Sequence, residues 1–203
     1  QWREQNDSLT YIKSVLQLPG DEGRSVALFF HQHLHDCVTG IMCAADSPRS
    51  TVTKLAIDTI GAFFQKLGST AQQQGQSAAQ KSISLEHFVE QVAQKLVAKG
   101  GATSSKFLFD SAAHSMRAVV GAVSPLKGLH GVLAVQPPKV DKSKVIWGDG
   151  VSQAMANAPP NCFNGKDTMS RVVKACDVLI HDASQDVREV GKKLAVEMTQ
   201  YCA

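Results

Sequence analysis

Aromatic residues make up only 6% of this 203-residue sequence. That is too few to interleave with basic residues as a nucleic-acid surface requires. Charge of one sign is also scarce. The formal net charge of +3 permits an acidic partner but gives little support for nucleic acid. No apolar run reaches the roughly 20 residues of a membrane-spanning helix, and no secretory signal opens the chain. The five cysteines, Cys37, Cys43, Cys162, Cys176 and Cys202, are odd in number and lack framework spacing. Most fall on helical apolar stripes, so buried free thiols in a reducing cytosol are expected rather than disulfides. An initiating Met is missing and the first turn is abrupt, which suggests an excised fragment. Alternating strand patterns are absent as well.

What is present is helical periodicity along almost the whole chain. Leu9, Ile12 and Leu16 form a first stripe. Val26, Phe30, Leu34, Cys37, Val38 and Ile41 share the next face, and Val52, Leu55, Ala56, Ile60, Phe63 and Leu67 the one after. Leu85, Phe88, Val89, Val92 and Leu96 continue the series, followed by Phe109, Ala112, Ala113, Met116, Val119 and Val123. Met169, Val172, Val173, Cys176, Leu179 and Ile180 make another stripe, and Val187, Val190, Leu194 and Met198 the last. These patterns predict an all-α fold. A hydrophobic content of 43% suffices for a sizeable core in one elongated domain or a repeat array spanning residues 1–203.

The helix breakers sort into two groups. Asp46-Ser47-Pro48-Arg49, Gly100 to Thr103, Pro137-Pro138-Lys139 and Asp182-Ala183-Ser184 fall within helix pairs. Pro19-Gly20-Asp21, the stretch from Gly68 to Ser82, Ser124-Pro125 and Pro159 to Asp167 fall between them. Consecutive turns of an antiparallel array alternate between edges, so the first group shares one edge with Trp2. Second helices are expected to begin near positions 4, 50, 106, 142 and 185. Their uneven spacing centres on the roughly 40–47 residues of HEAT-type repeats, which predicts an α-solenoid. Ser84 reads as an N-cap. Asp182 with Gln185, or Ser184 with Asp186, would cap the last helix, and Asp167 would do the same before Thr168. Gln72 to Gln80 has no periodic face and reads as a connector. Gly148 and Gly150 each cost a helix about 1 kcal/mol against Ala, so packing of Trp147, Val151 and Met155 must offset them.

The shared edge is rich in cations: Arg3, Arg49, Lys54, Lys99, Lys106, Lys139, Lys142, Lys144 and Arg188. Acids at Asp46, Asp141, Asp182 and Asp186 accompany them, several in capping positions. Such a ridge would steer an acidic partner, and an exposed Trp2 would supply a desolvated anchor. Each feature has a plainer explanation. A Lys/Arg row is also what a solvated face looks like, Trp2 could cap the core, and Arg188 could bridge to Asp186, Asp182 or a neighbouring repeat.

Catalytic patterns are weaker. On one helix His31 and His35 would share a face at a zinc-holding spacing, near His33 and Cys37. No Glu stands beside His31 as in a zinc protease, so partly packed or solvated histidines are expected. No nucleophile-turn signature frames a cysteine. No glycine-rich phosphate loop follows a strand, since Lys99-Gly100-Gly101 falls in a helix turn. Phe107 and Phe109 read as core. No enzyme, cofactor or metal is expected. A hydrolase or metalloenzyme would need a polar cleft joining His31, His35 and an acid.

The motifs in order resemble a known family. Gln1-Trp2-Arg3 with Leu9, Ile12 and Leu16 looks like the first intra-repeat turn and following helix of a TOG domain. Asp46 to Ala56, leading to Phe63 and Leu67-Gly68, is similar to the second repeat of CLASP-type TOG domains. Asp182 to Arg188 resembles a closing HEAT repeat, with an acidic turn before a Val-Arg pair. The resemblance implies a single TOG-like paddle of HEAT repeats whose first helix would lie before Gln1. It also implies αβ-tubulin or the microtubule lattice as partner, bound through the intra-repeat turns. Trp2 would face β-tubulin, and the last turns would lie nearer α-tubulin. A monomeric, cytoplasmic and cytoskeletal module, at microtubules, cilium or centrosome, follows from the same resemblance, with no membrane or nucleic-acid partner. The alternative is a HEAT scaffold for another protein without tubulin affinity.

Overall fold

Residues 2–73, 85–102, 105–159 and 166–201 are described in a computed structural model. They form ten helices and, among the described residues, no strand. In chain order these are α1 (Trp2–Leu16), α2 (Gly20–Gln32), α3 (Leu34–Ala44), α4 (Ser50–Gln73) and α5 (Val89–Gly101). They continue with α6 (Lys106–Gly121), α7 (Pro125–Ala134), α8 (Asp141–Asn157), α9 (Lys166–Ile180) and α10 (Gln185–Thr199). The all-α solenoid expected from the periodicity is therefore the observed architecture.

The helices make two layers. α1, α4, α6, α8 and α10 pack successively side by side, each against the next. The other layer holds α2 and α3 against α4, then α5 against α7 and α7 against α9. Second helices start at 2, 50, 106, 141 and 185, so their N-terminal ends lie along one edge. The core runs between the layers. Phe63, Phe64 and Leu67 of α4 are fully buried, as are Met116 of α6, Ile146 and Met155 of α8 and Leu194 of α10. Buried hydroxyls are tied across helices. Ser115 Oγ donates to the Ile57 carbonyl at 2.8 Å, and Ser143 Oγ donates to the Val97 carbonyl at 2.9 Å.

Several local expectations change. The stripe from Val26 to Ile41 belongs to two helices, broken at His33 with φ −113° and ψ 27°. The stripe from Leu85 is interrupted by a turn at residues 87 and 88, and α5 starts at Val89. Gly100 and Gly101 lie inside α5 and are buried, not in a turn. Phe107 and Val173 are exposed, because helical rotation carries each one step off its buried stripe. Asp167 lies inside α9, and the Asp182 carboxylate accepts from the Ser184 N–H rather than reaching into α10. Cys176 is buried and Cys37 half-buried, but Cys43 is exposed. Burial pushes both the Cys37 and Cys176 thiols up, assisted by Asp36 and Asp177. Ser84, Cys162, Cys202 and most of the Gln72 to Gln80 connector lie outside the described residues.

Glycines let the second helices approach closely. A Cβ at Gly148 would stand 2.7 Å from Val190 Cγ1, and one at Gly150 would stand 2.9 Å from Met116 Cγ. Trp147 between them is buried and donates its Nε1–H to the Val132 carbonyl at 3.0 Å. Close packing thus offsets the two glycines of α8. Gly68 of α4 is tighter still, because its Cβ would lie 2.4 Å from the Ala122 carbonyl oxygen and 2.8 Å from its Cα. Gly68→Ala is expected to cost about 1–3 kcal/mol by overpacking. Gly40→Ala, at an exposed position of α3 with nothing within 4 Å, should instead add about 0.5–1 kcal/mol. Thermal melts followed by circular dichroism check both signs, and equal shifts would refute the close-approach account.

Candidate functional site along the turn edge

Trp2 opens α1 and is 40% exposed. It is not tucked into the core at the end of the array. The Arg49 guanidinium, from the residue just before α4, sits 4.0 Å from the indole centre, and that of Arg3 sits 5.4 Å from it. Both are inside the distance at which a cation is attracted to the indole face, an effect of about 0.5–1 kcal/mol when exposed. The stack joins the first turn to the second. Among the described residues neither arginine enters an ion pair. No acid lies in the first turn of α4, so the positive end of that helix adds to the same field.

Other predicted cations divide by what they touch. Lys106 and Lys139 are exposed. Lys142 is exposed too. Lys54 turns along its own helix to Asp58 at 2.6 Å. Lys99 reaches Asp46 Oδ1 at 2.8 Å while Lys95 holds Oδ2 at 2.8 Å. The two ammonium groups, Lys95 foremost, keep the Asp46 carboxyl below the usual carboxylate range. Sequence reasoning missed Lys95. Its position one turn before Lys99 on α5 was the available signal.

The last turn is locked. Lys144, with a side chain 16% exposed, pairs with Asp182, whose side chain is 9% exposed. The other Asp182 oxygen accepts from the Ser184 N–H at 2.9 Å. Arg188 Nη1 donates to the carbonyls of Asp182 at 2.9 Å and Ala183 at 2.6 Å. Lys144 and Arg188 therefore build the turn. Arg188 takes backbone carbonyls rather than the carboxylates of Asp182 or Asp186. Lys144, then the Ser184 amide, holds the Asp182 carboxyl below its ordinary range, and Asp182 raises Lys144 in return.

Between these ends a cleft of about 510 Å³ opens at the starts of α6, α8 and α10. Phe109 and Val145 line it, rimmed by Lys106, Lys142, Asp110 and Asp186. The rim is mixed in charge, and Asp141 and Asp186 are among the acids expected on this edge. His31 and His35 belong to separate helices across the break at His33, so the shared-face spacing does not apply. Among the described residues no group of three His, Cys, Asp or Glu side chains is placed to hold a metal. No described helix is long and apolar enough to cross a membrane.

A solved structure of a CEP104 TOG domain superposes with a TM-score of 0.56 at 14% identity, covering 98% of this chain and 75% of that one. The chain has the fold of a TOG domain. A crescerin-like protein, che-12 of Caenorhabditis elegans, is 24% identical over 195 residues, or 95% of this chain. The chain spans about 14% of the length of that relative. No protein-family model matches the chain. The CLASP-type resemblance rests on the second-repeat motif alone.

The Lys144–Asp182 lock yields a pH signature. Asp182→Asn leaves a largely covered ammonium without its main acceptor, and the variant is expected to melt below the parent at pH 7. The carboxyl's pKa is lowered by folding. Its contribution is complete above the unfolded value of about 3.9 and is lost as pH falls through the lower folded value. That of Lys144 is raised, so its share fades only as pH climbs past about 10.4. The Tm gap between parent and variant should stay flat from about pH 5 to 9 and close in acid. A gap unchanged at pH 2 would contradict the lock.

Proposed function

We propose that this chain is a tubulin-binding module of TOG type. It docks on αβ-tubulin or the microtubule lattice through the edge of intra-repeat turns and contributes to regulation of microtubule dynamics or organisation. The observation that carries the reading is the exposed Trp2 indole held by the Arg49 guanidinium at 4.0 Å. An aromatic fixed before encounter loses little entropy on docking. Two guanidiniums beside it, free of ion pairs among the described residues, suit an acidic partner, and such charges set encounter rate and salt sensitivity. Lys106, Lys139 and Lys142 would extend the contact. Lys54 and Lys99 contribute only by releasing Asp58 and Asp46, and Lys144 and Arg188 by shaping the last turn.

The residues form one monomeric binding domain rather than a catalyst, and their cellular setting is the microtubule cytoskeleton, the cilium included. The likeness to a crescerin-like protein and a CEP104 TOG domain supports that setting. A second reading, a HEAT scaffold without tubulin affinity, draws on the internal pairing of Lys144 and Arg188, which thins the cationic ridge at its far end.

The intact domain, extended to include any preceding helix, is expected to co-elute with tubulin on gel filtration at low salt and to dissociate as salt rises. Trp2→Ala should weaken binding about 30-fold, the equivalent of about 2 kcal/mol at a hot spot. Lys127→Ala, exposed on α7 away from the edge, should leave it unchanged. Absence of co-elution would favour the scaffold reading, and equal losses from the two variants would reject the assigned edge.

A further inference from the structure

The outer layer carries a second, separate surface. α9 packs mainly on α10 and only lightly on α7 and α8. A cleft of about 190 Å³ remains between α9, α7 and the turn after α7. Leu133 and Pro137 form one wall, and Trp147 of α8 lies at the base. The other wall is a stripe of α9 at helical spacing: Arg171, Lys174, Ala175 and Val178. Val178 is 39% exposed. The space accepts an aliphatic side chain.

Its rim is positive. Among the described residues Arg171 and Lys174 enter no ion pair. His130, on α7 beside α9, registers that field. Burial lowers its pKa first, and Arg171 and Lys127 lower it further against a smaller opposing pull from Asp167. The nearby Asp177 turns to His181 Nδ1 at 3.1 Å. An apolar seat beside two cations one helical turn apart matches a segment with an aliphatic residue flanked by carboxylates. Burying its apolar side chain gives affinity, while the carboxylates select it against basic segments.

We propose that the α7–α9 cleft is a docking site for a short acidic, leucine-bearing segment of a protein partner, distinct from the turn edge and independent of tubulin binding. Lys174 and Arg171 receive the carboxylates, and Val178 with Leu133 receives the aliphatic side chain. Fluorescence anisotropy with a fluorescein-labelled EELLEE peptide tests this on the whole chain, with KKLLKK and EEQQEE peptides for comparison. EELLEE is expected to bind at least ten-fold tighter than either. Lys174→Glu and Val178→Asp should each weaken it at least ten-fold, with helicity by circular dichroism retained. Trp2→Ala should leave it unchanged, which separates this site from the tubulin edge. The proposal is overturned by absence of EELLEE binding, by equal affinity for EEQQEE, or by indifference to Lys174→Glu.

Discussion

The contact between α4 and α6 sets the spacing of everything along the turn edge. α4 is the longest helix of the array, and it meets α6 at two places where a glycine replaces a side chain. A Cβ on Gly61 would lie 2.6 Å from Ser115 Oγ, and one on Gly68 would run into the backbone of Ala122. Ser115 then closes the gap by donating to the Ile57 carbonyl, so a buried hydroxyl finds its acceptor in the neighbouring helix. Close approach of two rigid helices leaves little freedom to slide, because a packed interior resists small displacements. The N-terminal ends of α4 and α6 inherit that fixed separation. The orientation of Trp2 relative to Arg49 is set by a separate contact, that of α1 on α4.

Electrostatics then divides the edge. At the first two turns Asp46 is taken by Lys95 and Lys99, while Arg3 and Arg49 share one indole and, among the described residues, no carboxylate. At the last turn, charge is spent inward: Asp182 takes Lys144 and the Ser184 amide, while Arg188 donates to the Asp182 and Ala183 carbonyls just before α10. A carbonyl that loses its partner in a half-buried turn costs more than an exposed cation gains from a distant anion. This is why a closing Asp-turn followed by a Val-Arg pair forms a structural unit here. The same residue types yield a proposed contact at one end of the solenoid and a brace at the other.

Layer membership was legible in the sequence because it depends on period alone. The stripes of α4, α6 and α10 predict much of the buried face, though they miss Ile57, Phe64 and Val120, and the second-helix starts fall within two residues of their predicted positions. What period cannot supply is the fate of a charge, since that is set by which acid a neighbouring repeat brings near. Asp46 is three residues from Arg49 yet pairs with Lys95 and Lys99 of α5. Nor does period register a break with no glycine or proline to mark it. His33 separates α2 from α3 through backbone dihedrals that no residue type announces. Gly148 and Gly150 read as weaknesses in isolation and become contact points once Leu179, Val190 and Met116 are placed. The α7–α9 cleft lay beyond sequence reasoning, because it arises from α9 leaning on α10 rather than on α7.

Magnitudes decide which paired cations remain available to an acidic partner. The Lys99–Asp46 contact is bridging, but Asp46 is 53% exposed and Lys99 30% exposed. Exposed pairs of this kind contribute about 0–1 kcal/mol. A partner carboxylate that excludes water around Lys99 offers a comparable or larger return, so the ammonium can exchange Asp46 for it while Lys95 keeps Asp46 satisfied. Lys144 has no such freedom. Its acceptor is nearly covered, and withdrawing the cation would leave a carboxylate facing only one backbone N–H. Exchange there would also loosen the carbonyls held by Arg188, since the same turn carries both sets of bonds. The proposed edge therefore has a graded response: two arginines without an ion pair among the described residues, Lys54 and Lys99 releasable on contact, and a final turn that holds its shape.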